Sequence, residues 1–342
     1  MWKRIELHNH TMESDGSMTV KELAAFMEAQ GIPWFSLTDH NTVSGFPDLP
    51  AACKNRLQYV YGYELTSYYG HLLCQNVTSY IPWDDIDRDN ADPLFQRVHE
   101  AGGLAGPAHP FSLPSPFANG MRWDMTIHDP GLMDFIEIVN NAHPMVPDNC
   151  QAIQWWIRLA CSGFPIAPVS GLDLHRPMDL DGVFSTFIET DGDNAPESPP
   201  EASQALAQAV RRCRTCVTRG PVLHWVLNGD SLKLSLCPGL TPIPEHEPDA
   251  PPLFFCLIKT EKDSLRIPLG NEDCLVPLPD TIRSSRGAVL LLFPAESCPS
   301  GEPELSSLTA AAGPVFSQCE RKRALQRLQY RLFAAPLFRL LF

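Results

Sequence analysis

A series of histidines and carboxylates, most of them set beside short apolar runs, limits what this 342-residue chain can become. It reads His8-Asn9-His10, Ser14-Asp15-Gly16, Thr38-Asp39-His40, Glu64, His71, Ala108-His109-Pro110 and Asp173-Leu174-His175. Such groups are costly to bury without shared partners. A fold that accommodates them must bring side chains from separate strands to one point. Six imidazoles and three carboxylates exceed the four or so ligands that one zinc-type ion takes. The expectation is a multinuclear metal site, and with it a hydrolase.

The segments between these residues alternate in type. Thr19-Val-Lys-Glu22 has the form of a capping box, after which Val20, Leu23, Ala24 and Met27 share one helical face. Gly31 stops that helix, and Trp34–Leu37 reads as a buried strand ending at Asp39-His40. Leu57–Tyr61 is a strand leading to Glu64, with His71–Val77 as its neighbour. A helix over Asp92–Ala101 precedes the strand into His109. The strand Asp134–Val139, a helix over Cys150–Cys161 and the run Phe164–Ser170 then lead to Asp173 and His175. Strands alternating with helices predict a parallel barrel whose site lies at the C-terminal ends of the strands.

After the helix Ser203–Cys213 and the stretch Thr218-Arg-Gly-Pro221, helical periodicity fades. Apolar runs at Val222–Leu227, Leu232–Leu236, Leu253–Ile258 and Val289–Phe293 are separated by Pro and Gly turns, as in a small β-sandwich. Pro238–Pro252 reads as a loop. The predicted division is therefore 1–221, 222–298, and 299–342 as linker and basic amphipathic helix. That last helix carries Arg321, Lys322, Arg323, Arg327 and Arg331 beside Leu325, Leu328 and Leu332. It reads as docked on its own protein, with contact to a membrane surface or partner as the alternative.

A formal charge of −14 argues against broad nucleic-acid binding, which needs a positive surface to displace counterions. No apolar leader precedes the first histidines, and no apolar stretch is long enough to span a bilayer. Eleven scattered cysteines form no framework, and Cys213-x-x-Cys216 lacks a second pair, so reduced thiols in the cytoplasm are expected.

Two histidines at i and i+2 on a strand point to the same face, so His8 and His10 can grip one ion. Asp173 and His175 repeat that spacing. Glu64 has one oxygen for each of two ions. Arg176 is placed to grip a phosphate in bidentate fashion. Asn140, Asn141 and His143 follow a strand and can reach the mouth of a barrel.

This ordered set resembles the polymerase-and-histidinol-phosphatase (PHP) superfamily over about residues 3 to 220. The resemblance implies a distorted seven-stranded β/α barrel holding two or three divalent ions. It implies that His8, His10, Glu64 and Asp173 hold the first ion, and Glu64, His71 and His109 the second. Asp15, His40 and His175 would hold the third. Glu64, Asp173 and His175 are read as the catalytic members, with Arg176, Asn141 and His143 toward the substrate. Arg214-Thr-Cys-Val-Thr-Arg-Gly-Pro221, followed by Val226-Leu-Asn-Gly229, resembles the junction in the carbaryl-hydrolase-like (CehA/McbA) branch.

A shell of nitrogen and oxygen without cysteine suits Zn, Mn or Fe. Three divalent ions against Asp15, Glu64 and Asp173 leave a surplus of about +3, which favours a small anionic substrate. The expected activity is hydrolysis of a small phosphate ester or nucleotide by a hydroxide bridging two ions, its pKa lowered toward about 7. A carbamate, ester or amide hydrolase is the alternative enzyme. A non-catalytic, metal-stabilised binding module is the alternative of another class.

Overall fold

A computed structural model describes residues 1–54, 56–112, 121–141, 146–191, 199–245, 250–297 and 302–315. His143 and the basic C-terminal segment lie outside the described residues. From the N-terminus run β1 (Trp2–Glu6), α1 (Val20–Ala29), β2 (Trp34–Leu37), α2 (Leu49–Cys53), β3 (Gln58–Ser67) and β4 (Gly70–Gln75). They are followed by α3 (Asp92–Glu100), β5 (Leu104–Pro107), β6 (Phe135–Asn140), α4 (Pro147–Cys161) and β7 (Ala167–Gly171). Then come β8 (Ser185–Glu189), α5 (Pro199–Arg211) and β9 (Thr215–Thr218).

Helix α1 forms where the pattern places it. The Thr19 hydroxyl accepts from Glu22 N–H at 3.2 Å, and the Glu22 carboxylate accepts from Thr19 N–H at 2.8 Å. Its buried face is Val20, Leu23, Ala24 and Met27. Helix α4 begins three residues earlier than the periodicity predicts, because Pro147 needs no N–H partner in a first turn.

β1 lies parallel to β2, and β2 to β3. The all-parallel expectation fails at the next two pairs, since β3–β4 and β4–β5 are antiparallel. The physical reason at the first is the connection. Only Tyr68 and Tyr69 join β3 to β4, whereas a parallel crossover needs a dozen residues or more. Beyond β5, Asp134 N–H donates to Ala105 O, and β6 runs parallel to β7. The chain past β7 then returns to the start, with His10 N–H on Leu174 O at 2.9 Å and a parallel bridge from Asn9 to Leu174. The strands thus enclose Ile5, Val60, Leu73, Leu104, Phe135 and Val169, all at most 1% exposed.

The remaining elements are β10 (Val222–Asn228), β11 (Ser231–Cys237), β12 (Phe254–Lys259), β13 (Ser264–Leu269), β14 (Cys274–Pro277), α6 (Asp280–Arg283), β15 (Val289–Pro294) and β16 (Ala310–Ala312). β10, β11 and β14 form one antiparallel sheet. Across a second core that includes Leu223, Leu234, Val276, Ile258 and Leu292, it faces strands that belong to the first sheet. β13, β12, β15 and β16 join that sheet through β9 and β8, so among the described residues it runs unbroken from β13 to β5. The loop expected over Pro238–Pro252 agrees with 238–245, where no strand or helix forms. No disulfide joins the described cysteines. No described helix is long and apolar enough to cross a membrane.

Candidate metal centre

The site is assembled at the ends of β1, β2, β3 and β7 with the start of β4 and the end of β5. β1 stops at Glu6, but the bridge at Asn9 keeps the chain extended, so His8 and His10 flank it on one face. Gly171 makes room for the first of them: a Cβ there would stand 2.4 Å from the His8 Cβ. Asp15 is presented by a turn tied to the end of β2. The buried Asp39 carboxylate accepts from Thr11 N–H at 2.6 Å and from the Ser14 hydroxyl at 2.7 Å. Gly16 closes that turn against the His10 carbonyl, with 2.5 Å left for any Cβ. His109 (φ 26°) and Asp173 (φ 51°) both sit in left-handed backbone, a strained state that accumulates at functional sites.

Glu64 is the centre. Its Oε1 lies 2.9 Å from His71 Nδ1 and 3.1 Å from His109 Nε2. Its Oε2 lies 3.2 Å from His8 Nε2, 3.5 Å from His10 Nε2 and 3.0 Å from His40 Nδ1. Asp173 Oδ1 is 3.1 Å from His10 Nε2 and 3.3 Å from His8 Nε2. Asp15 faces His175 Nε2 at 3.2 Å and His40 Nε2 at 3.6 Å.

These distances define three groups whose ligand atoms lie within 4.8 Å of one another: His8, His10, Glu64 and Asp173; His10, Asp15, His40 and His175; and His40, Glu64 and His71. Eight of the nine sequence candidates for metal fall in these groups, and the ninth, His109, joins them through its 3.1 Å contact with Glu64 Oε1. Two details differ from the resemblance. His10 belongs to the Asp15 group as well, and His71 groups with His40, while His109 shares the same Glu64 oxygen.

The residues fit a divalent cation. His8 Nε2, His10 Nδ1 and Glu64 Oε2 are buried with no hydrogen-bond partner, and buried polar atoms are rarely left so. The electrostatics point the same way. Burial pushes the Glu64 carboxyl up, yet the charges of His71 and His8 hold it well below the usual carboxylate range. Burial likewise raises Asp173, and His8 with the His10 hydrogen bond overrides it downward. Burial lowers His109, but its hydrogen bond to Glu64 lifts it to about 9. Against burial, the acids raise His8, His40 and His109, whereas burial keeps His10 and His71 below the ordinary histidine value; a cation would take the place of protons among the acids.

The substrate candidates separate. Arg176 is exposed beside His175. Asn141 is a correction: it is 2% exposed, its amide donates to Gly171 O and Phe184 O, and its carbonyl accepts from Phe184 N–H. Both ends of that side chain are used inside the fold. Asn140 reaches the site instead, donating to Asp173 Oδ2 at 3.0 Å. His143 lies outside the described residues.

Sequence reasoning missed Glu137 and Glu6. Glu137 Oε2 is 3.0 Å from His8 Nδ1 and accepts from His109 N–H at 3.3 Å. Glu6 accepts from Leu7, His8 and Leu172 N–H groups through one oxygen, and burial raises it to about 7. The available signal was a lone acid inside an apolar strand, Ile136-Glu137-Ile138 and Ile5-Glu6-Leu7.

A family model described as the PHP domain matches residues 6–86. That span carries His8 through His71. No curated protein matches the sequence. Among solved structures the chain is similar to a two-domain protein of Bacteroides vulgatus, described as containing a predicted PHP-like metal-dependent phosphoesterase. The identity is 15%, the TM-score 0.52, and the match covers 92% of this chain and 95% of that one. A Bifidobacterium adolescentis protein, provisionally described as a metal-dependent phosphoesterase, matches at 14% identity and TM-score 0.40, over 60% of this chain and 96% of its own. An amidohydrolase of Chromobacterium violaceum with bound sulfate and no metal matches at 15% and 0.38, over 60% and 96%. Likeness at such identities speaks to fold: the first comparison extends a mixed α/β, two-domain architecture over nearly the whole chain.

Proposed function

We propose that this chain is a metal-dependent phosphoesterase acting on a small phosphate ester or nucleotide. The observation that carries the reading is the convergence of five imidazoles and three carboxylates in groups of ligand atoms within 4.8 Å, with His109 on Glu64 beside them, while His8 Nε2, His10 Nδ1 and Glu64 Oε2 are buried with no hydrogen-bond partner. His8, His10, Glu64 and Asp173 would hold one ion, Glu64 with His71 and His109 a second, and Asp15, His40 and His175 a third, from Zn, Mn or Fe. Such ions supply an acidified water near neutral pH and positive charge for phosphoryl oxygens. Glu137, which the charge arithmetic omitted, lowers the positive surplus by one and leaves its sign.

The chain's own residues then have distinct tasks. Glu64 and Asp173 fix the positions of the surrounding rings. Asn140 holds the second oxygen of Asp173. Arg176, exposed next to His175, is available to an anionic group. In this reading β1 to β7 form the distorted seven-stranded barrel of residues 1–221, and 222–298 the smaller β-rich unit, supported by a second core that also takes in Phe187 and Cys216 before it and Ala310 and Ala312 after it. Metal-replete protein should release phosphate from an ester panel or cleave a bis-aryl phosphate. Inertness toward the whole panel would sink the proposal.

The junction from Arg214 to Gly229 favours a second reading, a carbamate or ester hydrolase of the carbaryl-hydrolase type. Aryl carbamates and aryl phosphates assayed side by side separate the two, and inhibition by inorganic phosphate supports the first.

A further inference from the structure

Outside the nine ligand candidates, one buried acid touches the centre in a way that distinguishes one ring from the others. Glu137 is 1% exposed and projects from β6 against the back of His8. Its Oε2 accepts from His109 N–H, so it acts as an acceptor there, and His8 Nδ1–H donates to the same oxygen. That leaves His8 Nε2 as the lone-pair end, and Nε2 is the atom facing Glu64 and Asp173. The outer nitrogens of the other rings have weaker backing. His109 Nδ1 meets the Met121 carbonyl, His175 Nδ1 meets the Asp173 carbonyl, and His10 Nδ1 has no hydrogen-bond partner. A carboxylate behind an imidazole fixes its tautomer and orientation and strengthens it as a donor.

Burial grades the groups in the same order. The side chains of His8, His10 and Glu64 are fully buried, whereas Asp15, His175 and His40 are 57%, 37% and 22% exposed. Water competes for the second set and reaches the first only at Asp173, whose side chain is 15% exposed.

We infer that Glu137 is a positioning residue that holds His8 with Nε2 inward, and thereby makes the buried group of His8, His10, Glu64 and Asp173 the tightest cation site. The group with Asp15, His40 and His175 is the exchangeable one. This rests on the reading of the site as a metal centre.

The test is a metal titration. Chelator-stripped full-length protein is titrated with Zn²⁺, and separately Mn²⁺, against a chromogenic chelator. Wild type should show a tight class and a weaker class. Glu137→Ala should weaken the tight class by about 10- to 100-fold, within the range for loss of such partners. Glu137→Gln, isosteric and still an acceptor, should recover most of that affinity. Asp15→Asn should weaken only the weaker class. Wild-type affinity in Glu137→Ala overturns the inference while leaving the metal centre intact. An equal loss in Glu137→Ala and Glu137→Gln, with equal falls in apo-protein melting temperature, overturns it in favour of packing alone. Wild type that takes up no metal overturns the function proposed above.

Discussion

Five imidazoles look at one carboxylate, so Glu64 is where a single substitution should do most damage. Glu64→Ala and Asp173→Ala are expected to lower metal content, measured by elemental analysis, and to abolish turnover. His224→Ala, whose ring meets Trp2 and Glu189 far from these groups, should change neither. Full metal and full rate in Glu64→Ala would refute the multinuclear arrangement. Gly171→Ala makes a subtler test. Its methyl must displace the His8 Cβ, so it should cost about 1–3 kcal/mol in urea unfolding and weaken metal binding as well. The ligands were legible in the sequence because His-x-His and Asp-x-His spacings carry geometry with them. Glu137 was not, since a residue that braces a ligand from another strand follows no local spacing. Asn141 misled for the converse reason: adjacency to a strand end does not say which of two neighbours, 140 or 141, turns inward.

At the scale of elements, the strongest local signals held. Thr19→Ala removes half of the capping box on α1 and should cost about 1 kcal/mol, read as a fall in thermal midpoint. The short strands β8, β9 and β16 were invisible, because runs of three to five residues such as Ser185–Glu189 carry too few positions to show a period. They are fixed instead by partners far along the chain. One such join is Arg214, which forks onto Glu189 at 2.5 and 2.9 Å and lies 4.1 Å from the Trp225 ring. Burial opposes the Glu189 charge, but Arg214 overrides it and holds the carboxyl below its ordinary value of 4.5. A depressed acid stabilises the fold above that value, and the contribution is lost as pH falls through the lowered folded-state pKa. Glu189→Gln should therefore cost about 1 kcal/mol near neutral pH, screening included. The difference from wild type should shrink as urea melts are taken to pH values progressively below 4.5. A gap that stays constant with pH would assign the effect to shape rather than charge.

For the whole molecule, the centre ties together the ends of strands that otherwise meet only through their neighbours. Stripping the cation should therefore lower global stability. An ion present at about 100 times its dissociation constant contributes about 2.7 kcal/mol, or roughly 4 °C in melting temperature for a chain of this length. Calorimetry with and without chelator checks this, and an unchanged midpoint would place the centre outside the cooperative unit. The sheet that runs unbroken from β13 to β5 also sets a timetable. β1 is zipped to β8 through pairs such as Lys3 with Ile188, some 185 residues later. At about 5–20 residues per second of synthesis, the first strand waits roughly 10–40 s on the ribosome for that edge to be covered. His8 and His10 emerge at the beginning of the wait and Asp173 near its end. A nascent chain thus exposes two imidazoles, and later Glu64, well before it owns Asp173, so the four-residue group is completed only once β7 has been made.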